Sequence, residues 1–590
     1  MTGLLVDGLV AAVWDPVTGR ARFGAATFKG AAFSGSASFR KAHFTGKASF
    51  SHAEFANTAD FTEARFDESC VFQGVNFAGS SSFTNAQFEE AVDFGRAHFV
   101  EDAVFRGVRF SGTTFFNGVT VDRSISFQSS RFMQDAWFDT TKFGSSAYFN
   151  GTRWDRDASF SLTHFRSTAG FDDARFGASA DFKAVKFDGY ARFREAQFSG
   201  RARFLDAQFA HTKELGPILC LNTLTLSGAS FSLPMTIEVA ARELACVRTR
   251  WDATALLRIR YAEVNLTDAV LAAPLAVKRH PTAFDFHGRP LNESLLVNSP
   301  AHASISSVSG VDAAHLVLTD TNLSICQFTG AFHLDQIRLE GTTRFASVPA
   351  GLKRRKHRWP DRWSQRRTLA EEHHWRAQDA AQPSPPPSQA PTAHLWTPGP
   401  HHGDQARTPD PDDVAAAYRQ LRKAFEDGKN EPGAADFYYG EMEMRRHDRV
   451  ATPRGERALL HAYWLLSGYG LRASRAFTWL LLAMLTTILL LMGVGLPQHS
   501  PAQEATGVVP AGGGRTTFTI DKDDPQNPTG NRLTGERFDK ALTATLNSVI
   551  FRSSGQDLTS AGTYIEMTSR LLEPALLALA VLAIRGRIKR

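Results

Sequence analysis

The sequence predicts a mainly β solenoid followed by an α-helical hairpin and two transmembrane helices. Three observations carry this. Phe recurs at alternating steps of five and six over the first third of the chain, apolar residues recur at three and four between 412 and 449, and two apolar stretches near the carboxyl terminus approach bilayer length. At 590 residues the chain is too long for one ordinary core. Its 66 Lys and Arg against 60 Asp and Glu leave a net charge of +6, too little over this length to argue for nucleic acid. Cys70, Cys220, Cys246 and Cys326 lie far apart with no C-x-x-C spacing, so neither a zinc site nor a disulfide framework is expected, and the surroundings read as reducing. Residues 1–19 read as an amino-terminal cap and not as a secretory signal, because Asp7 interrupts the apolar run and no basic residue precedes Arg20.

From residue 20 to 210 the register runs through Phe39, Phe44, Phe50, Phe55, Phe61 and Phe66 and continues to Phe209, with only Val121 and Trp154 replacing Phe. Two positions before each ring stands a small or β-branched residue, as in Ala37-Ser38-Phe39 and Ala42-His43-Phe44. In extended chain that spacing puts both on one face, so ring and small partner point inward while the polar residues between them turn the chain. A helix needs apolar residues at three and four, and a plain strand needs strict alternation; neither template fits. The pattern predicts a coil of 22 residues with faces of five, six, five and six, and Phe stacked on Phe in an interior ladder. Eight to nine such coils would make a rod of roughly 40 Å.

These residues resemble the pentapeptide-repeat family, over roughly residues 20–210. The resemblance implies a right-handed, quadrilateral parallel β-helix; the extra residue in every second unit departs from the family's five. Some members carry an acidic surface that imitates DNA. Here residues 20–210 hold 23 Lys and Arg against 21 Asp and Glu, interspersed, which disfavours that role.

Between 211 and 350 the Phe register is lost but short β-rich runs persist, predicting an irregular continuation of the β-helix with loops near His280–Pro300. Residues 351–411 read as a basic and then Pro-rich linker. Lys353, Arg354, Arg355 and Lys356, interleaved further on with Trp359, Trp363 and Trp375, are candidates for contact with lipid phosphates, the other reading being a solvated helical end cap. His373, His374, His394, His401 and His402 lack ligand spacing and read as incidental, so no metal or cofactor is expected. In 412–449 Val414, Tyr418, Leu421 and Phe425 mark one helix and Ala435, Phe437, Tyr438, Met442 and Met444 a second, a hairpin similar to a single tetratricopeptide-type unit, with too little core to stand alone.

Residues 450–590 read as a two-span membrane domain. Ala476–Leu496 is uncharged and about 31 Å long as a helix; Arg472 and Arg475 before it place its start in the cytoplasm. The second span, about 563–584, contains Glu566, Arg570 and Glu573, spaced four and three and so on one face, read either as functional intramembrane groups or as an interfacial pair. Arg585, Arg587, Lys589 and Arg590 place the carboxyl terminus in the cytoplasm. Between the spans a polar stretch leads to a short helix, about 538–552, with Phe538, Leu542, Thr545, Leu546, Val549 and Ile550 on one face, and then to Gly555, Gln556 and Asp557.

This order of span, short helix, Gly-containing turn and span resembles the two-span pore module of potassium-type channels, over about residues 476–585. The stretch Arg552-Ser553-Ser554-Gly555-Gln556-Asp557 keeps a Gly and an Asp but lacks the paired glycines and the tyrosine of that family's filter. The resemblance implies four subunits around a channel with Gly555, Gln556 and Asp557 at its mouth. The expected protein is thus a multi-pass protein of the cytoplasmic membrane with both termini inside, a β-helical scaffold or sensor on a channel-like domain; the alternative is a non-conducting anchor presenting a protein-binding rod. Membrane lipids and a protein held on the β-helix are the expected partners, nucleic acid is not, and a homo-oligomer is left open. No paired carboxylates, nucleophile elbow, phosphate loop or metal spacing suggests an enzyme.

Overall fold

The computed structural model describes residues 3–17, 19–286, 289–296, 302–349, 352–353, 361–362, 365–380, 395–402, 404, 408–497, 505–508, 511–517, 519–520, 531–550, 555 and 558–588. They divide into two units, one ending at Ala434 and the other covering Ala435–Arg590. The first unit opens with helix α1 (Gly3–Ala12) and the strand Trp14–Asp15, which pairs antiparallel with Arg20–Phe23.

The regular solenoid follows from the Phe register. Two-residue strands line up in parallel columns whose partners lie 22 residues apart, as in His43-Phe44, Arg65-Phe66 and Gln87-Phe88. Three further columns run through Ala48, Cys70 and Val92; through Phe55, Phe77 and Phe99; and through Ala59, Ser81 and Ala103. Every second residue of these strands points inward. Phe39, Phe44, Phe50, Phe55, Phe61 and Phe66 are fully buried. Each ring stacks on the ring one coil on, Phe61 on Phe83 at 4.9 Å, and meets a ring from a neighbouring column edge-on, Phe61 with Phe72 at 5.4 Å and 87°. Some buried hydroxyls at the small positions bond to the previous coil, Thr141 Oγ1 to the Phe116 carbonyl at 2.6 Å and Thr163 Oγ1 to that of Phe138 at 2.7 Å.

The two kinds of corner differ in backbone. Five-residue corners turn through a left-handed residue that recurs every eleven: Lys41, His52, Glu63, Gly74, Asn85 and Arg96, and onward to Asp206. Six-residue corners bend without one but come close to the coil before: a Cβ on Gly112 would stand 2.3 Å from the Glu90 carbonyl carbon.

Past residue 213 the β-helix continues with a different coil. Glu214–Thr225 is one strand of 12 residues whose middle, Leu219-Cys220, pairs with Gln197-Phe198 and whose end pairs with Ala202-Arg203, so two faces have fused and their corner is gone. Coils then shorten to a 20-residue step, Arg250 facing Val270 and Leu257 facing Val277. The expected excursion near 280–300 is present: it carries the hairpin Asp285-Phe286/Arg289-Pro290 and packs Phe284, Leu291 and Leu296 on Leu219 and Ala240, beside a buried Arg260–Glu293 ion pair at 2.8 Å. In all the solenoid has about 14 turns.

Within the stretch read as a linker, residues 370–379 form a packed helix, α2 (Ala370–Asp379), and the first unit closes with α3 (Pro411–Asp427). Together they cap the solenoid's open end. The Glu371 carboxylate accepts from the backbone N–H groups of Phe328 and Thr329, α3 offers Gln420 to the Leu334 N–H at 3.1 Å, and Lys423 pairs with Asp335 at 2.7 Å. Beneath lies a buried knot: the Glu372 carboxylate accepts from Arg366 Nη2 with both oxygens, at 2.6 and 2.7 Å, from Arg376 Nε at 2.7 Å and from the Tyr418 hydroxyl at 2.6 Å. Arg366 is thereby an interior ion-pair partner, its charge bonded to a carboxylate that is itself fully buried.

His373 is buried in the same cap with Nε2 2.9 Å from Thr368 Oγ1, its ring 4.8 Å from that of Trp396. Burial lowers its pKa from 6.5 to about 4, and burial followed by repulsion from His401 and His402 does the same to His374. The unfolded chain therefore takes up protons near pH 6.5 that the folded cap refuses until about pH 4. Glu371, raised by burial, works in the opposite sense but only where carboxylates titrate. The cap is expected to lose on the order of 2 kcal/mol as the pH falls through this range. The difference in fluorescence between the native chain and Trp396→Phe should report this before any loss of β structure; a signal flat to pH 4 would contradict it.

The second unit takes up α4 (Glu431–His447) from Ala435 and adds α5 (Arg454–Ser467), α6 (Ala473–Leu490), α7 (Gly535–Val549) and α8 (Ser560–Ile588). Tyr439, Met442 and Tyr469 bind α4 to α5 with Leu460, Tyr463 and Trp464 around them, and Arg446 lies 4.4 Å over the Trp464 ring while its guanidinium bonds Glu443 at 2.9 Å.

Candidate functional site

Chemistry in the second unit collects where α6, α7 and α8 meet. The helix α6 ends in a wider π turn, Leu491–Gly495, and two glycines let α8 cross there: a Cβ on Gly562 would lie 2.3 Å from the Gly495 carbonyl oxygen. Thr559 seals the crossing, its Oγ1 donating to Val494 O at 2.8 Å and its N–H to Gly495 O at 2.9 Å. Thr534 caps α7. One turn on, Arg537 is almost fully buried and donates to the carbonyls of Met492, Leu496 and Pro497 at 3.0, 2.7 and 3.0 Å, supplying the donors that the end of α6 lacks. Ile488, Leu491, Met492 and Leu496 pack on Ala541 and Ala544 to complete the joint.

Glu573 is fully buried from α8 and accepts hydrogen bonds from Thr487 Oγ1 on α6 at 2.9 Å and Ser548 Oγ on α7 at 2.5 Å. One carboxylate thus joins three helices. Glu566 instead pairs with Arg570 one turn on at 2.6 Å. The predicted stripe therefore divides: its first two members bind one another and the third bonds to neighbouring helices.

Gly555 has a left-handed backbone, φ +62°, where a residue with a side chain is strained. Gln556 and Asp557 lie outside the described residues, as do Arg354, Arg355 and Lys356; Lys353 is described through its backbone, which pairs with Asp361. Of the residues expected on one face of the short helix, Phe538, Leu546 and Ile550 are exposed and Thr545 is buried; the inward side is Arg537, Ala541, Ala544, Thr545 and Ser548. Sequence reasoning missed Thr487, Ser548 and Arg537. The last gave no signal, since it stands among Glu536, Asp539 and Lys540 at the start of α7.

Among the described residues, Ala473–Gly495 and Ser560–Arg585, 23 and 26 residues long, are the two helical stretches long and apolar enough to cross a bilayer. Their flanks leave Leu481 and Leu485 of α6 and Leu571 and Leu582 of α8 exposed.

Compared with known families, the first unit matches the model described as pentapeptide repeats (9 copies), over residues 18–65, 28–75, 61–109 and 72–120. Over these residues the solenoid is a pentapeptide-repeat β-helix. No curated protein and no solved structure matches the chain.

Outside, the pentapeptide-repeat β-helix alternates its charges between coils. His43 meets Asp67 at 2.6 Å, His98 meets Asp122 at 2.8 Å, Arg131 meets Asp155 at 2.8 Å and His164 meets Asp188 at 2.6 Å. Such exposed pairs are each worth at most about 1 kcal/mol, and they leave the pentapeptide-repeat surface without a field of one sign. No group of His, Cys, Asp or Glu among the described residues is arranged to hold a metal ion.

Proposed function

We propose that the chain is an integral protein of the cytoplasmic membrane, with both termini inside the cell, in which the pentapeptide-repeat β-helix is a cytoplasmic scaffold or sensor and α6, α7 and α8 form one subunit of a channel-like homo-oligomer. The observation that carries the reading is α7. A short helix bound between two apolar helices by Arg537 and Glu573, with Phe538, Leu546 and Ile550 left bare, suits a re-entrant element covered by lipid or by a second copy. Arg472 and Arg475 before α6 and Arg585 at the end of α8 support the orientation. Expected partners are membrane lipids and a protein on the β-helix; the reading includes no catalysis.

The test is flux of monovalent ions into liposomes carrying the purified full chain. Asp557→Ala and Glu573→Gln are expected to change flux or its selectivity about tenfold, the second by loosening the joint around α7. No flux from protein whose insertion is verified would reject the channel and leave the anchor. One observation favours that second reading: the carboxylates of Glu573 and Glu566 have bonding partners within a single chain and so do not by themselves call for a pore.

A further inference from the structure

The helix α5 is apolar on two sides. One side, with Leu460, Tyr463 and Trp464, packs on α4 and Tyr469. The other presents Ala458, Leu459, Ala462 and Leu465 to the outside, at spacings of one, four and seven from Ala458, with Leu459 72% exposed and Leu465 49%. An uncovered stripe of this kind is costly in water.

Its position in the unit says what covers it. A tight turn through Gly468 and Gly470 joins α5 to α6, and two bonds fix the corner: Arg475 Nη1 to Trp464 O at 3.2 Å and Trp479 Nε1 to Leu465 O at 3.1 Å. The stripe therefore continues into the exposed Phe477 and Leu481 at the start of α6. Because Gly495 meets Gly562 and Thr487 meets Glu573, α6 and α8 run antiparallel, and Arg585 comes to the level of the first turn of α6. Arg454 is exposed in the first turn of α5, and Arg472 and Arg475 stand at the corner. An apolar stripe continuous with the surface of a span and bordered by arginines has the chemistry of an interfacial helix.

We propose that α5 lies in the headgroup layer of the cytoplasmic leaflet, with Leu459 and Leu465 at the acyl boundary and Arg454 on the phosphates of anionic lipid. This rests on the membrane reading above, and the test separates the two. The native cysteines Cys70, Cys220, Cys246 and Cys326 are buried, so a thiol-reactive fluorophore will label an introduced cysteine selectively. The full chain carrying Leu459→Cys, Leu465→Cys, Leu482→Cys in mid-α6 or the exposed Lys183→Cys on the β-helix is reconstituted in bilayers with lipid brominated near the top of the acyl chain. Probes at 459, 465 and 482 should be quenched roughly twofold and the probe at 183 should not. Quenching at 482 without quenching at 459 and 465 would overturn the seating of α5 while the membrane reading stands. An unquenched probe at 482 would overturn both. Replacing zwitterionic lipid by phosphatidylserine should deepen quenching at 459, and Arg454→Gln should remove that gain; quenching indifferent to either change would overturn the phosphate contact.

Discussion

Glu372→Ala is expected to destabilise the capped end of the first unit by about 3–5 kcal/mol. Arg366 and Arg376 are buried with their charge, and Glu372 is the carboxylate both of them bond. Burial alone would raise the pKa of Glu372, yet the two guanidiniums and the Tyr418 hydroxyl hold it well below the usual carboxylate range, so the pair is ionised throughout the working pH. Removing one partner leaves positive charge without compensation, whereas Arg366→Met with Glu372→Leu and Arg376→Leu would remove the burden as well as the bond and should cost less. Denaturant midpoints followed at Trp396 check this. A loss for Glu372→Ala under about 1 kcal/mol would mean that water reaches the guanidiniums.

The second large effect concerns the ladder. Phe116→Ala is expected to cost about 3–5 kcal/mol, felt in its own coil and the two beside it. Phe116 is 1% exposed, stacked at 4.8 Å on Phe94 and at 4.8 Å on Phe138, and met edge-on by Phe105 and Phe127 at 5.5 and 5.1 Å. Coils pinned above and below cannot collapse into the gap. One residue earlier Phe115 points outward, so Phe115→Ala should stay within about 0.5 kcal/mol. Hydrogen exchange across residues 94–138 measures both; equal protection in the two variants would contradict the inward ladder as the source of stability.

The period of the β-helix was legible because burial selects Phe at fixed steps, and the step of 22 follows by addition. The corners were not, because the left-handed position accepts Lys41, His52, Glu63 and Asn85 alike, so backbone shape leaves no common side chain to read. The fused strand Glu214–Thr225 was hidden for another reason: only pairing with coils above and below tells a straightened corner from an irregular one. In the helical unit the spacing of Glu566, Arg570 and Glu573 placed them on one face, but their partners depend on packing, which brings Thr487 and Ser548 to Glu573 from 86 and 25 residues away. On α7 the large residues share a face, but the sequence does not say which way it points. The structure turns Phe538, Leu546 and Ile550 outward, while Ala541, Ala544 and Ser548 make the close approach to α6 and α8.

A coil of 22 residues makes rod length a quantised property. A duplication or loss of 22 residues returns each ring to a partner of its own kind, Phe44 onto Phe66 or Phe88, and keeps the outward His, Asp and Arg on their original sides. A change of 11 keeps the rings inward, since Phe recurs at that interval, but carries every following face half-way round the rod. The regular segment is thus a gauge that lineages can lengthen or shorten in whole coils without re-aiming what stands at its end. The 20-residue coils after Glu214 cannot be exchanged with it coil for coil.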